Sequence, residues 1–157
     1  AGSNGSVIPF WLNCKKNDKP LPITDKRMSR LMLNYDEVSE IIEKSIEESK
    51  NGHGGFVLTK KMKKVLLFKL ANIISTNTTL IGLRPGEELY EDLISESELE
   101  FSELKGEYIL IRNEHNQNRG TRLKESISSD TATEMSDKEI FQMVEFIKSN
   151  SFLNEHY

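Results

Sequence analysis

The segment Leu83-Arg84-Pro85-Gly86-Glu87-Glu88-Leu89 carries the residue types best suited to chemistry on a charged ligand. An apolar stretch leads into Arg84, Pro85-Gly86 turns the chain sharply, and a carboxylate follows three residues after the arginine. A guanidinium at a strand exit can fork onto a phosphate. A carboxylate beside it can accept hydrogen bonds from sugar hydroxyls, as ribose-binding acids do. A helix restarting at Glu87 would add backbone N–H groups that favour an anion. An ordinary strand–turn–helix corner with a surface Arg–Glu pair has the same composition, so these residues alone leave both readings open. A second group, Ile23-Thr24-Asp25-Lys26-Arg27-Met28-Ser29-Arg30, sets cations, a hydroxyl and an acid between apolar segments. Arg30 opens an extended stretch from which its side chain could enter a cleft. A charged surface loop is the plainer alternative.

Other chemistries find little support. His53, His115 and His156 are far apart and none has metal-ligand spacing, so no metal is expected. The glycines from Gly52 to Gly55 form neither a dinucleotide fingerprint nor a P-loop, and no Gly-x-Ser-x-Gly element exists. Cys14 is the only cysteine, which excludes an intrachain disulfide and fits a reducing, cytoplasmic setting. It has no neighbouring base and reads as structural. Trp11, beside Phe10, reads as core or interface. Net charge is −4, which gives nucleic-acid binding no support. The basic cluster Lys60, Lys61, Lys63 and Lys64 reads as a solvated face at the start of a helix. No apolar run approaches the ~20 residues of a membrane span, and the amino-terminal residues carry no secretory pattern.

The elements that must position these groups belong to a small α/β or α+β domain. A chain of 157 residues fits one domain with a real core. The apolar pattern predicts a helix from Ile8 to Lys16, with Pro9 tolerated in its first turn. Short extended segments follow at 21–24 and 30–33. Asn34 with Glu37 three residues on signals a helix start, and Val38, Ile41, Ile42 and Ile46 continue at helical spacing. Residues Asn51 to Gly55 stop that helix. Strands are expected at 56–59, 78–83 and 108–112, helices at 65–74 and 87–93, and a polar loop over 114–134. Ser136-Asp137-Lys138-Glu139 is a capping box that opens a last helix. Residues 1–112 thus form the main body, 113–135 a polar loop, and 136–157 a helix and tail.

Taken in order, Gly5-Ser6-Val7-Ile8-Pro9-Phe10, Pro22-Ile23-Thr24-Asp25 with Arg27-Met28-Ser29-Arg30, Gly54-Gly55-Phe56-Val57, and Ile81-Gly82-Leu83-Arg84-Pro85-Gly86-Glu87-Glu88-Leu89-Tyr90-Glu91 resemble one family. It is the polysaccharide-biosynthesis branch of the extended short-chain dehydrogenase/reductases. The inverting UDP-N-acetylglucosamine 4,6-dehydratases fit best. The likeness runs from Gly5 to about Glu96 and is thin from Leu99 onward.

The resemblance implies a parent with two parts. A Rossmann domain holds NADP and a Tyr-x-x-x-Lys catalytic pair, and a smaller carboxyl-terminal domain clamps the nucleotide-sugar. This chain is expected to be the second part alone, a small mixed α/β substrate-binding domain with the Rossmann domain absent and no catalytic residue. Tyr35, Tyr90, Tyr108 and Tyr157 have no lysine four residues on. By position, Arg84 would contact the diphosphate, Glu87 the ribose, and Arg30 would be a second phosphate cation. Val7, Ile8 and Pro9 would form the wall near the uridine, with Thr24 beside it. The ligand is then a UDP-sugar, UDP-N-acetylglucosamine first. In the parent, a hydride would pass from C4 to NADP, water would leave across C5–C6, and the hydride would return to C6 with inversion at C5. This chain alone would not turn over substrate. The family commonly has Met-Thr-Arg-Phe where Met28-Ser29-Arg30-Leu31 stands, and Lys and His where Glu88 and Tyr90 stand. These changes bear on the sugar more than on the nucleotide. Two alternatives stay open: an interaction domain that pairs with a separate Rossmann-fold chain, and a fragment of a UDP-sugar 4-epimerase. Homo-oligomerisation is also open. A large apolar surface around Val7, Ile8, Phe10 and Trp11 would favour a missing partner half.

Overall fold

The computed structural model describes residues 6–50, 55–112 and 121–150, with helices packed on small sheets in a mixed α/β arrangement. The expectations at Asn51–Gly54, His53, His115, His156 and most of the tail lie outside the described residues.

Helix α1 (Val7–Lys16) carries its lysines in the last turn, where the helix dipole favours cations. Its inner face buries Ile8, Trp11 and Cys14, so the cysteine is a core residue. Strand β1 (Leu21–Ile23) follows, then β2 (Ser29–Met32) and α2 (Tyr35–Lys50). The start of α2 is a closed capping box: the Glu37 N–H donates to Asn34 Oδ1 and the Asn34 N–H to Glu37 Oε2, each at 2.8 Å. Strands β3 (Phe56–Lys60) and β4 (Lys63–Leu66) lead directly into α3 (Leu67–Ile74), and β5 (Thr78–Leu80) closes this half. Then come β6 (Asp92–Ile94), a 3₁₀ turn (Glu96–Phe101), β7 (Ser102–Lys105), β8 (Tyr108–Arg112), β9 (Thr121–Arg122), β10 (Ile127–Ser128) and α4 (Asp137–Asn150).

Strand β1 pairs in parallel with β5, with Ile23 opposite Leu80. Strand β2 pairs antiparallel with β4. A four-stranded antiparallel sheet runs β3-β8-β7-β9. One apolar core joins α1, α3 and α4 to β1 through Trp11, Leu21, Ile23, Leu70, Ile140 and Val144. The Trp11 indole N–H donates to the Pro22 carbonyl at 3.0 Å, which fixes α1 on β1.

Four expectations are corrected. The helix expected from Val65 begins at Leu67, because Val65 and Leu66 pair with Arg30 and Ser29 across β2–β4. No helix restarts at Glu87; residues 87–91 are irregular, with a bend at Leu89-Tyr90, and β6 follows. The polar loop over 114–134 contains β9 and β10. The lysine cluster is also not a solvated helix face. Lys60 is buried, with its Nζ 3.2 Å from Glu40, 3.7 Å from Glu37 and 3.8 Å from Glu107. Burial works against its charge, but the Glu40 hydrogen bond and the attraction of all three carboxylates prevail and raise its pKa.

The cap of α4 has a pH consequence. Lys63 and the backbone and hydroxyl of Ser136 hold the Glu139 carboxyl down at about 2. A carboxylate depressed in the folded state stabilises above its unfolded value of about 4.3 and loses that contribution as pH falls toward 2. Thermal melts between pH 5 and 2 should therefore show a falling midpoint, with a shallower fall in Glu139→Gln. Equal slopes in both proteins would contradict this role for the cap.

Candidate functional site

The β1–β5 pair continues beyond its named strands, because the Ile81 N–H donates to the Ile23 carbonyl at 2.9 Å. Thr24 therefore leaves β1 beside the segment that leads to Arg84. Arg84-Pro85-Gly86-Glu87 is a type II turn: the Glu87 N–H donates back to the Arg84 carbonyl at 3.0 Å and Gly86 has φ of 85°. Glu87 Oε2 then accepts the Arg84 N–H at 3.0 Å, which holds the carboxylate over the corner. A Cβ at Gly86 would meet nothing within 4 Å, so Gly86→Ala should cost only the left-handed conformational penalty, about 1–2 kcal/mol. Thermal or urea unfolding measures it, and an unchanged midpoint would contradict the turn geometry.

A cleft of about 180 Å³ opens between this corner, α1 and β1, lined by Val7, Phe10, Thr24, Ile81, Arg84 and Glu87 over a floor that includes Trp11 and Leu67. It is smaller than the roughly 300–1,000 Å³ of a typical ligand pocket. Its volume has room for only part of a nucleotide-sized molecule.

Val7, Thr24, Arg84 and Glu87 thus line one cleft. Ile8 does not join them: one residue on from Val7 it turns into the core, with 1% exposure. Pro9 is also absent from the lining. Phe10 takes that place, three residues from Val7 on the same helix face, a spacing legible in the sequence.

Arg30 stands apart from the cleft lining. Its Nη1 donates to the carbonyls of Ser29 and Leu89, its Nη2 to that of Glu88 at 3.0 Å, and its Nε lies 3.2 Å from Glu91 Oε1. Glu91 Oε2 accepts the Leu31 N–H in turn. A guanidinium has five N–H donors, so one remains uncommitted. Arg30 braces the segment after the turn against β2. The other nearby cations are also engaged. Arg27 forks onto Asp25, whose carboxyl it holds at about 2 by side-chain and backbone hydrogen bonds. Lys26 sits 4.8 Å above the Phe68 ring. The exposed Arg84 guanidinium makes no hydrogen bond or ion pair among the described residues, which leaves all five of its N–H donors for an anion.

The expected apolar patch on α1 is reduced. Ile8 and Trp11 are buried, and Phe10 is half-exposed. Exposed apolar residues gather instead at Leu80, Ile81 and Leu83 on the cleft's rim and along α2. A larger cavity, about 430 Å³, lies elsewhere between the start of α2 and α4. Its lining has no arginine and sets Lys63 beside Asp36, Glu37 and Glu139.

A family profile described as polysaccharide biosynthesis protein matches residues 1–113. The chain is 34% identical over 97 residues to a UDP-N-acetylglucosamine 4,6-dehydratase (inverting) of Campylobacter jejuni, covering 60% of this chain and 28% of that protein. It is 32% identical over 115 residues to a UDP-glucose 4-epimerase of Rickettsia bellii, covering 69% of this chain and 33% of the relative. A capsular polysaccharide biosynthesis protein CapD of Staphylococcus aureus matches at 32% over 108 residues, covering 62% of this chain and 18% of that protein. Among solved structures, Pen from Bacillus thuringiensis superposes with a TM-score of 0.76 at 26% identity, covering 94% of this chain and 47% of Pen. The chain spans a third or less of the length of these curated relatives.

Proposed function

The chain belongs to the polysaccharide biosynthesis protein family of extended short-chain dehydrogenase/reductases, and on that premise we propose that it is the UDP-sugar clamp of a nucleotide-sugar 4,6-dehydratase that inverts at C5. The observation that carries this reading is the Arg84–Glu87 corner, where a guanidinium with no partner among the described residues stands beside a carboxylate on the wall of a cleft. Arg84 takes the diphosphate and Glu87 accepts from the ribose with its second oxygen. Val7, Phe10 and Ile81 give the uridine an apolar wall, and Thr24 offers a hydroxyl there. Arg30 positions the corner and reaches the diphosphate with at most its one remaining N–H.

The chemistry is proposed for a longer parent. NADP would supply hydride acceptance and return there. The described residues do not fit that cofactor: the chain passes into α2 through Leu33-Asn34 and into α3 at Leu66-Leu67, with no glycine turn to admit a pyrophosphate. No step is therefore assigned to this chain beyond holding and orienting the nucleotide-sugar. The proposal places it in the cytoplasm, in keeping with a single buried cysteine. Among the described residues no helix is long and apolar enough to cross a membrane.

A 4-epimerase parent is the second reading, favoured by the Rickettsia relative, which covers more of this chain than the dehydratase does. Calorimetric titration with UDP-N-acetylglucosamine, UDP-glucose, UDP and uridine tests both. UDP should bind at least tenfold more tightly than uridine, since each charge-assisted bond to phosphate is worth about 1.5–3 kcal/mol. Equal affinities for UDP and uridine would remove the phosphate clamp. A preference for UDP-glucose over UDP-N-acetylglucosamine would turn the reading toward the epimerase.

A further inference from the structure

The turn that presents Arg84 and Glu87 hangs between two anchor points. Upstream, the Ile81 N–H donates to the Ile23 carbonyl at 2.9 Å. Downstream, residues 88–91 are irregular, and other segments hold their backbone. The Ser29 N–H and Arg30 Nη1 donate to the Leu89 carbonyl, and Arg30 Nη2 donates to that of Glu88. Ser129 completes this anchor. Its N–H donates to the Glu91 carbonyl at 2.7 Å, and its hydroxyl oxygen accepts the Glu91 N–H at 2.8 Å. One residue thus satisfies both backbone groups of Glu91. The pairing of β10 with β6, which sets Ser128 opposite Asp92, delivers Ser129 to that position.

The Ser129 hydroxyl also ties this anchor to β2. It donates to the Ser29 carbonyl at 3.2 Å, and the Ser29 hydroxyl donates to the Ser129 carbonyl at 2.8 Å. Ser129 is 0% exposed and Ser29 1%. A buried network with its partners in place fixes geometry, because each broken bond strands a polar group away from water. Glu91 carries the constraint toward the site. Its Oε1 lies 3.2 Å from Arg30 Nε and its Oε2 accepts the Leu31 N–H at 3.1 Å. Arg30 holds the carbonyl of Glu88, the neighbour of Glu87, and Glu87 Oε2 accepts the Arg84 N–H.

We propose that Ser129 is a positioning residue for the UDP clamp, setting the phosphate-binding corner through Glu91 and Arg30. The proposal rests on the reading of the Arg84–Glu87 corner as that clamp. Ser129 is absent from the cleft lining, so it acts through its partners. It also lies beyond the matched residues 1–113, which gives the later part of the chain a share in the site. The two ends of the cleft depend on different anchors. Val7, Phe10 and Ile81 stand on α1 and the β1–β5 pair, whereas the Arg84–Glu87 turn also needs the downstream anchor. Loss of the Ser129 hydroxyl should therefore loosen the grip on phosphate and spare the grip on uridine.

Calorimetry on the whole chain, well below its melting temperature, tests this with UDP and uridine as probes. Ser129→Ala should weaken UDP binding about tenfold and leave uridine within about twofold, because supporting hydrogen bonds hold a binding group in its productive geometry. Ser129→Cys keeps a side chain of similar shape with weaker hydrogen bonds and should fall between Ser129→Ala and the wild type, which also serves if Ser129→Ala does not fold. Ile109→Val, buried in β8 and outside both network and cleft, controls for destabilisation and should leave the ratio of UDP to uridine affinity unchanged. In nuclear magnetic resonance spectra of folded Ser129→Ala, the amide signals of Arg84 and Glu87 should move. Wild-type UDP affinity in Ser129→Ala, or equal losses for UDP and uridine, would overturn the proposal and leave the clamp standing. A wild type that does not bind UDP would remove the clamp, and this proposal with it.

Discussion

Arg84→Ala should weaken UDP binding about 10- to 100-fold and leave thermal stability within about 0.5 kcal/mol of the wild type. The guanidinium is exposed and contributes no hydrogen bond or ion pair to the fold among the described residues, so its removal takes nothing from the folded state. Against a diphosphate it would supply one or two charge-assisted bonds, each worth about 1.5–3 kcal/mol, and 1.4 kcal/mol is a factor of ten. Arg84→Lys keeps the charge but loses the planar fork, and should recover only part of the affinity. Calorimetry in low and high salt checks both. Wild-type affinity in Arg84→Ala would remove the residue from the site.

Trp11→Ala should destabilise the fold by about 3–5 kcal/mol, the range for truncating a large buried aromatic. Trp11 is 2% exposed, packs among α3, α4 and β1, and is the only tryptophan. Its indole N–H bonds the Pro22 carbonyl at 3.0 Å, so truncation also leaves that carbonyl without its partner. The effect reaches function, because Trp11 floors the cleft and anchors the helix that presents Val7 and Phe10. Trp11→Phe keeps an aromatic ring in the core and should cost less than half as much. Urea unfolding followed by circular dichroism measures each. A cost under 1 kcal/mol for Trp11→Ala would show that α1 is not seated on β1 as described.

Local signals explain what the sequence reveals of this fold. The capping pairs Asn34–Glu37 and Ser136–Glu139 announce two helix starts, and both close as side-chain to backbone bonds in the structure. Pro85-Gly86 announces the turn at the site, and Gly86 takes the positive φ that such a turn requires. Distant partners explain what it conceals. Glu87 to Leu93 has helix-forming residues, yet its backbone bonds go elsewhere. The Leu89 carbonyl accepts from Ser29 and Arg30, the Glu91 N–H donates to Ser129 Oγ, and the Glu91 carbonyl accepts from Ser129. Ser29 and Ser129 are themselves hydrogen-bonded, 100 residues apart in sequence. Lys63 to Leu66 is likewise drawn into a strand by its pairing with β2. Tertiary pairing of this kind overrides local propensity. The same reasoning covers the site. The Arg84–Glu87 corner is local and legible, whereas the commitment of Arg30 to carbonyls about 60 residues away is not.

The structure sets two cavities against each other, the cleft at Arg84 and the larger cavity between α2 and α4. Nuclear magnetic resonance of isotope-labelled protein titrated with UDP distinguishes them residue by residue. The amide shifts should move at Val7, Thr24, Ile81, Arg84 and Glu87, and stay still at Tyr35, Gln142 and Met143. Shifts that gather around Tyr35 and Met143 while the Arg84 corner stays silent would contradict it.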